Sequence, residues 1–221
     1  MKTVEYRGIR KLVGALLTED TLETLSYGAV FPIAPVGKLL KSTESNSETK
    51  SYDNVPALVI DSIGPDTVTV DVAAIDLETL AIITGQYYDS TIGMLVEGSP
   101  TRPYMAIGYI TEDTDGNEVY VWRNKGKFAI PSDEHNTKDT TTTSNGQQLV
   151  FTGIDTVHEF SSIPASRKKK TAKGVSLETA KELTDYTEST FFSTVQDVDK
   201  AVTHKVTQDS TPTDTDDNDT P

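Results

Sequence analysis

The chain has 221 residues, 35% of them hydrophobic and 24% charged, with a formal net charge of −14, which is enough for one sizeable domain or one domain with an appendage. The acidic balance argues against conventional binding to nucleic acid or anionic membranes, whose phosphates it repels. No run nears the roughly 18 apolar residues of a membrane span, the start MKTVEYRGIRKL lacks the apolar region of an export signal, and cysteine is absent; the expectation is a cytoplasmic product held together without disulfides or thiolate chemistry.

Arg10 to Thr18 is a mixed apolar run that ends at the acidic pair Glu19 and Asp20. Tyr27 to Ala34 and Lys38 to Ser42 follow as short strands split by Pro35 and Gly37. Ser42 to Asn54 has Tyr52 as its one large apolar side chain. It is long for a hairpin loop, and such segments are usually functional or disordered. In Thr67 to Val72, Val68, Val70 and Val72 alternate with Thr67, Thr69 and Asp71, the period of a half-buried strand. Asp76 can cap a helix in which Leu77, Leu80, Ala81 and Thr84 share a face and which Gly85 stops. Ile82 and Ile83 make that helix apolar almost all round, so heavy burial is expected. Tyr104 to Ile110 and Glu118 to Arg123 bracket the turn-forming cluster Asp113 to Asn117 and read as a hairpin. Asn124 to Lys127 reads as a turn before Lys127 to Ile130, and Gln148 to Ile154 completes the strands. A weaker helical spacing links Leu177, Ala180 and Leu183.

The fold class this implies is mainly β, an antiparallel sandwich or barrel with one buried α-helix. The expected organisation is one domain over 1–205, its core at about 8–160 with a C-terminal extension at 161–205, followed by a disordered acidic tail at 206–221. Charge follows the same division: the net is −6 up to Lys173 and −8 beyond it. Gln208 to Pro221 holds five Asp and no large apolar side chain, too little to offset its ordering entropy.

Residues for chemistry are sparse. His135, His158 and His204 are scattered and form no ligand pair, so they read as surface or loop positions. Asp113, Asp115, Asn117 and Glu118 suggest a calcium loop, but Gly116 comes two positions too early for one, and a hairpin turn fits better. Asp214 to Asp219 reads as a solvated charge run. The basic cluster Arg167 to Lys170 with Lys173 lacks interleaved aromatics and reads as a solvated loop, suited to pairing with acids of a neighbouring subunit. No phosphate loop, nucleophile elbow or Walker-type lysine is present, so the expectation is no enzyme, no cofactor and no metal site.

The order of several short motifs resembles the major tail protein family (tail tube proteins) of long-tailed, non-contractile bacteriophages. They are Gly8 to Leu12, Ser47 to Asp53, Asp76 to Ala81, Arg102-Pro-Tyr-Met-Ala-Ile-Gly108, Tyr120 to Pro131 and the threonine-rich approach to Leu149–Gly153. Phe191 to Val195 resembles the aromatic ending of many members, whereas Asp155 to Phe160 departs from the family's usual Trp. The resemblance implies a structural virion protein, made in the host cytoplasm, that assembles with itself into hexameric rings stacked as a tail tube. DNA would pass through its lumen without specific binding, no membrane would be involved, and tape measure and tail terminator proteins would be partners. The polar loop, through Glu44, Ser47, Glu48, Tyr52 and Asp53, would make the contacts between subunits and rings, and Leu77, Leu80 and Ala81 would form the core helix. The alternatives are another tube or connector-type virion protein, or a non-enzymatic Ig-like binding module.

Overall fold

The computed structural model describes residues 5–132, 146–167, 169–179 and 186–201. Among the described residues thirteen elements follow one another: β1 (Tyr6–Asp20), β2 (Leu25–Tyr27), β3 (Phe31–Pro32), β4 (Val36–Tyr52), β5 (Val55–Val72), α1 (Leu77–Thr84), β6 (Tyr87–Asp89), β7 (Met94–Val96), β8 (Met105–Asp113), β9 (Glu118–Phe128), β10 (Gln147–Gly153), β11 (Gly174–Glu178) and α2 (Glu188–Phe191). Nine strands form one sheet in the order β2-β1-β8-β9-β10-β5-β4, with β3 added to β1 and β11 to β9; β6 and β7 make a separate small ribbon. Every pairing is antiparallel. β4 also returns to touch β1, so the sheet curls toward a barrel.

Both faces of the sheet's middle are buried, and alternation along the strands sorts the side chains. Leu12, Val70, Ile107, Val121 and Phe151 point to the inner face, where Leu80 and Ile83 of α1 also lie. Val13, Ala15, Ala106, Ile110, Tyr120 and Trp122 point to the outer face. A bulge in β1 between Arg10 and Leu12 sets this phase, with Lys11 at φ 58. A non-glycine residue there costs about 1–3 kcal/mol, so the surrounding contacts must hold it. They do: Lys11 Nζ donates to Glu188 at 2.9 Å and lies 5.1 Å from the centre of the Phe192 ring.

The outer face is covered by residues 186–201, which carry Phe191, Phe192 and Val195 into the cluster. Phe192 packs on Trp122 and Tyr120 with ring centres 5.5 and 5.6 Å apart. Trp122 Nε1 donates to the Phe191 carbonyl, Asn124 Nδ2 to that of Gln196, and the Asp199 carboxylate accepts from the backbone N–H groups of Ser161 and Ser162. This strap is part of the domain's packing. At Gly108 an added Cβ would stand 2.9 Å from the Phe192 ring and 3.0 Å from Trp122, so only glycine lets the strap lie this close.

Several expectations change. Ser42 to Asn54 is not a loop: Ser42 to Tyr52 is the outer part of β4, paired with Val55 to Thr67 of β5, and Asp53 and Asn54 form the turn between them. Asn124 to Lys127 is not a turn but lies within β9, where the strand's pairing passes from β11 to β10. Leu177 sits in strand β11, not on a helix, because that segment pairs with the edge of β9; Ala180 and Leu183 lie outside the described residues. α1 has its caps where the sequence places them, with Asp76 accepting from Thr79 N–H at 2.8 Å and Gly85 left-handed at φ 73. It is not buried all round, however: Leu80 and Ala81 are buried, whereas Leu77 is 46% and Ile82 36% exposed. The tail at 206–221, His135 and His204 lie outside the described residues.

Candidate assembly surfaces

The outer halves of β4 and β5 form a two-stranded arm that leaves the body. Ser45 pairs with Ile63, Ser47 with Asp61, Thr49 with Val59, Lys50 with Leu58 and Tyr52 with Val55. Asp53 (φ 50) and Asn54 (φ 63) close it. Positive φ at both central positions is the requirement of the tight hairpin turn that matches strand twist, and Asp and Asn tolerate it better than other non-glycine residues. The ten steps from Ser42 to Tyr52, at roughly 3.4 Å each, give a reach of about 30–35 Å. Every residue from Lys41 to Ile63 is exposed.

All five residues expected to make inter-subunit contacts lie on this arm, on differing faces. Glu44 lies near its base against Gly64, where an added Cβ would meet Glu44 Cβ at 3.0 Å. The Ser47 hydroxyl donates to Asp61, and Glu48 pairs with Lys50. Tyr52 is 63% exposed beside the turn, and Asp53 forms the turn itself. The returning strand adds what sequence reasoning missed: Val55, Leu58, Val59, Ile60 and Ile63 are all exposed. The Val-Pro-Ala-Leu-Val-Ile run at 55–60, following Asp53-Asn54, is the signal that could have revealed a hairpin there.

At the base of the arm the curled sheet opens into a cavity of about 910 Å³. Tyr109, Val119 and Val121 line it together with Arg7, Lys38, Lys41 and Arg123, and among the described residues Glu178 is the one carboxylate in its lining. Arg7 pairs with Glu112. Behind it Asp66, 2% exposed, gathers Lys173 at 3.1 Å, Arg123 at 3.5 Å and Lys41 at 3.8 Å and accepts from the Thr43 hydroxyl at 2.9 Å. Burial pushes the Asp66 carboxyl up, but the hydrogen bonds from Thr43 and Lys173 and the field of Lys41 outweigh it and hold the group below the ordinary Asp value. Lys173 was expected in a solvated basic loop; it turns inward to Asp66 and the Gly64 carbonyl and fixes the root of the arm. Lys169 of that cluster is 80% exposed and 3.9 Å from Asp155.

The remaining candidates for chemistry have structural occupations. Asp113 Oδ1 accepts from the N–H groups of Asp115 and Asn117 in the β8–β9 turn. His158 stacks edge-on against Phe160 with ring centres 5.0 Å apart, and its Nδ1 is buried without a hydrogen-bond partner among the described residues. The Arg102-Pro-Tyr104 motif serves packing: Arg102 donates to the Phe128 carbonyl at 3.1 Å, and Lys127 Nζ lies 4.1 Å from the Tyr104 ring centre. Among the described residues no group of three or more His, Asp or Glu could hold a metal ion, and no helix is long and apolar enough to cross a membrane. No protein-family model matches the chain, and no curated protein matches it either.

Proposed function

We propose that this chain is a structural subunit that assembles with itself through its arm, and specifically a tail tube protein of a long-tailed bacteriophage that stacks as hexameric rings around a DNA channel. The observation that carries the self-assembly is the bare arm. A two-stranded hairpin is marginally stable by itself in water and needs a third strand or a packed face. This one extends about 30–35 Å with Tyr52, Val55, Leu58, Val59, Ile60 and Ile63 exposed. A patch of that kind marks an interaction site, and its unpaired edges would be covered on assembly. The narrower reading as a tail tube subunit rests on the ordered motif series from Gly8 to Gly153 and on the acidic charge, which lets DNA pass without adhering.

Light scattering over a concentration series tests the proposal. Growth into rings or longer particles is the expected result, and a variant with residues 45–63 replaced by an Asn-Gly turn should stay monomeric and folded. A wild-type monomer at every attainable concentration, or unchanged assembly of the armless variant, contradicts it.

A further inference from the structure

We infer that the cationic cavity at the root of the arm is the receptor for the arm tip of a second copy of this chain, an inference that rests on the self-assembly proposed above. The cavity departs from the rest of the molecule in charge. In a chain of net charge −14, Arg7, Lys38 and Lys41 line it as exposed cations and Arg123 as a largely buried one. The buried Nε–H of Arg123 has no hydrogen-bond partner among the described residues. Three acids face five cations there: Glu178 lines the cavity, Glu112 takes Arg7, and Asp66 is shared among Lys41, Arg123 and Lys173, while Lys38 has no ion pair among the described residues. The apolar floor of Tyr109, Val119 and Val121 gives the site a second requirement. Its occupant should combine carboxylate with exposed apolar side chains.

The arm's outer end has that combination. Tyr52 and Val55 face each other across the turn, 63% and 61% exposed, with Asp53 in the turn itself; Glu48, four residues back on β4, is paired with Lys50. About 910 Å³ lies at the upper end of the range, roughly 300–1,000 Å³, of pockets that enclose a compact ligand, so a hairpin tip has room. The chain's own tip cannot fill it. The arm springs from Lys41 and Ser42 at the cavity's edge and carries its tip about 30–35 Å away, so the tip of another copy, displaced along the arm, is the segment that reaches. Repeating this contact is a head-to-tail association, which generates rings or filaments.

The absence of cysteine gives a clean test in the full chain. A double variant, Ser176→Cys on the cavity lining with Ser51→Cys beside the arm tip, which leaves every proposed charge in place, is assembled and treated with a short bis-maleimide cross-linker. A covalent ladder of oligomers is expected, with each single variant stopping at dimers or below. In the unassembled chain, Ser176→Cys should react quickly with a maleimide dye, and assembly should slow it at least tenfold. Tubes or rings that form from the double variant without a ladder overturn this receptor while leaving the arm's role standing. Assembly of the variant lacking residues 45–63 overturns the underlying reading instead. Slow labelling in the unassembled chain that truncation after Thr207 restores would assign the cavity to the chain's own acidic tail and overturn the inference. To show that cavity charge matters, Lys38→Glu with Lys41→Glu should block assembly, and mixing it with Glu48→Lys/Asp53→Lys should restore mixed particles; failure of both effects contradicts the inference.

Discussion

Asp66 ties three segments distant in sequence to one carboxylate: β4 through Lys41 and Thr43, β9 through Arg123, and the approach to β11 through Lys173. Its folded value lies below the ordinary one, so its stabilisation is fully present above the unfolded value of about 3.9 and is lost as pH falls through the lower folded value. Asp20 behaves likewise; burial raises it, but Lys125 at 2.6 Å and the N–H groups of Val157 and His158 outweigh that. Asp66→Asn should lower stability at pH 7 by about 1–3 kcal/mol, the cost of leaving buried charged groups without their partner. Denaturant titrations at several pH values should show that difference shrinking below about pH 4, where Asp66 of the unfolded chain begins to protonate while the folded group is still ionised. A difference independent of pH would mean that the carboxylate's charge is not what holds these segments.

At the scale of elements, α1 and the strap make opposite demands on the sequence. Leu80→Ala should cost about 2–5 kcal/mol, as for large-to-small core changes, because Leu80 is 9% exposed on the inner cluster. Leu77→Ala should stay within about 0.5 kcal/mol, since Leu77 is 46% exposed despite its helical spacing with Leu80 and Ala81. Equal costs in urea unfolding would contradict the burial described for this helix. Phe192→Ala removes the ring shared by Tyr120, Trp122 and Phe191 and should cost about 3–5 kcal/mol; a change below 1 kcal/mol would show that the strap does not pack as described. The caps of α1 and the alternation at Thr67–Val72 are legible in the sequence because local hydrogen bonds and a single buried face produce them. The arm is not legible in this way. Neither of its faces is buried, so β4 carries no apolar alternation from Ser42 to Tyr52, and its strand character comes from pairing with residues 55–63. β11 is hidden for a related reason: Leu177 suits a helix by spacing, yet the exposed edge of β9 captures the segment as a strand.

On the scale of the whole molecule, one curled sheet has both faces filled from its own chain, inside by α1 and outside by the strap, while its longest hairpin is left bare. The covered faces are packed by one chain, and under the proposed self-assembly the bare arm and the cationic cavity at its root are the surfaces that a second copy covers. The candidate surfaces were only half visible in the sequence: Glu44 to Asp53 stood out by polarity, whereas Arg7, Lys38, Lys41 and Arg123 come from three strands that only the fold brings together. Removing one strand of the arm alone would leave the other unpaired, so the informative deletion takes residues 45–63 as a unit. Negative-stain microscopy of the purified chain at high concentration, beside that armless variant, tests self-assembly most directly. Hollow rings or tubes from the wild type and none from the folded armless variant are expected; uniform small monomers from both, or tubes from both, would contradict the account.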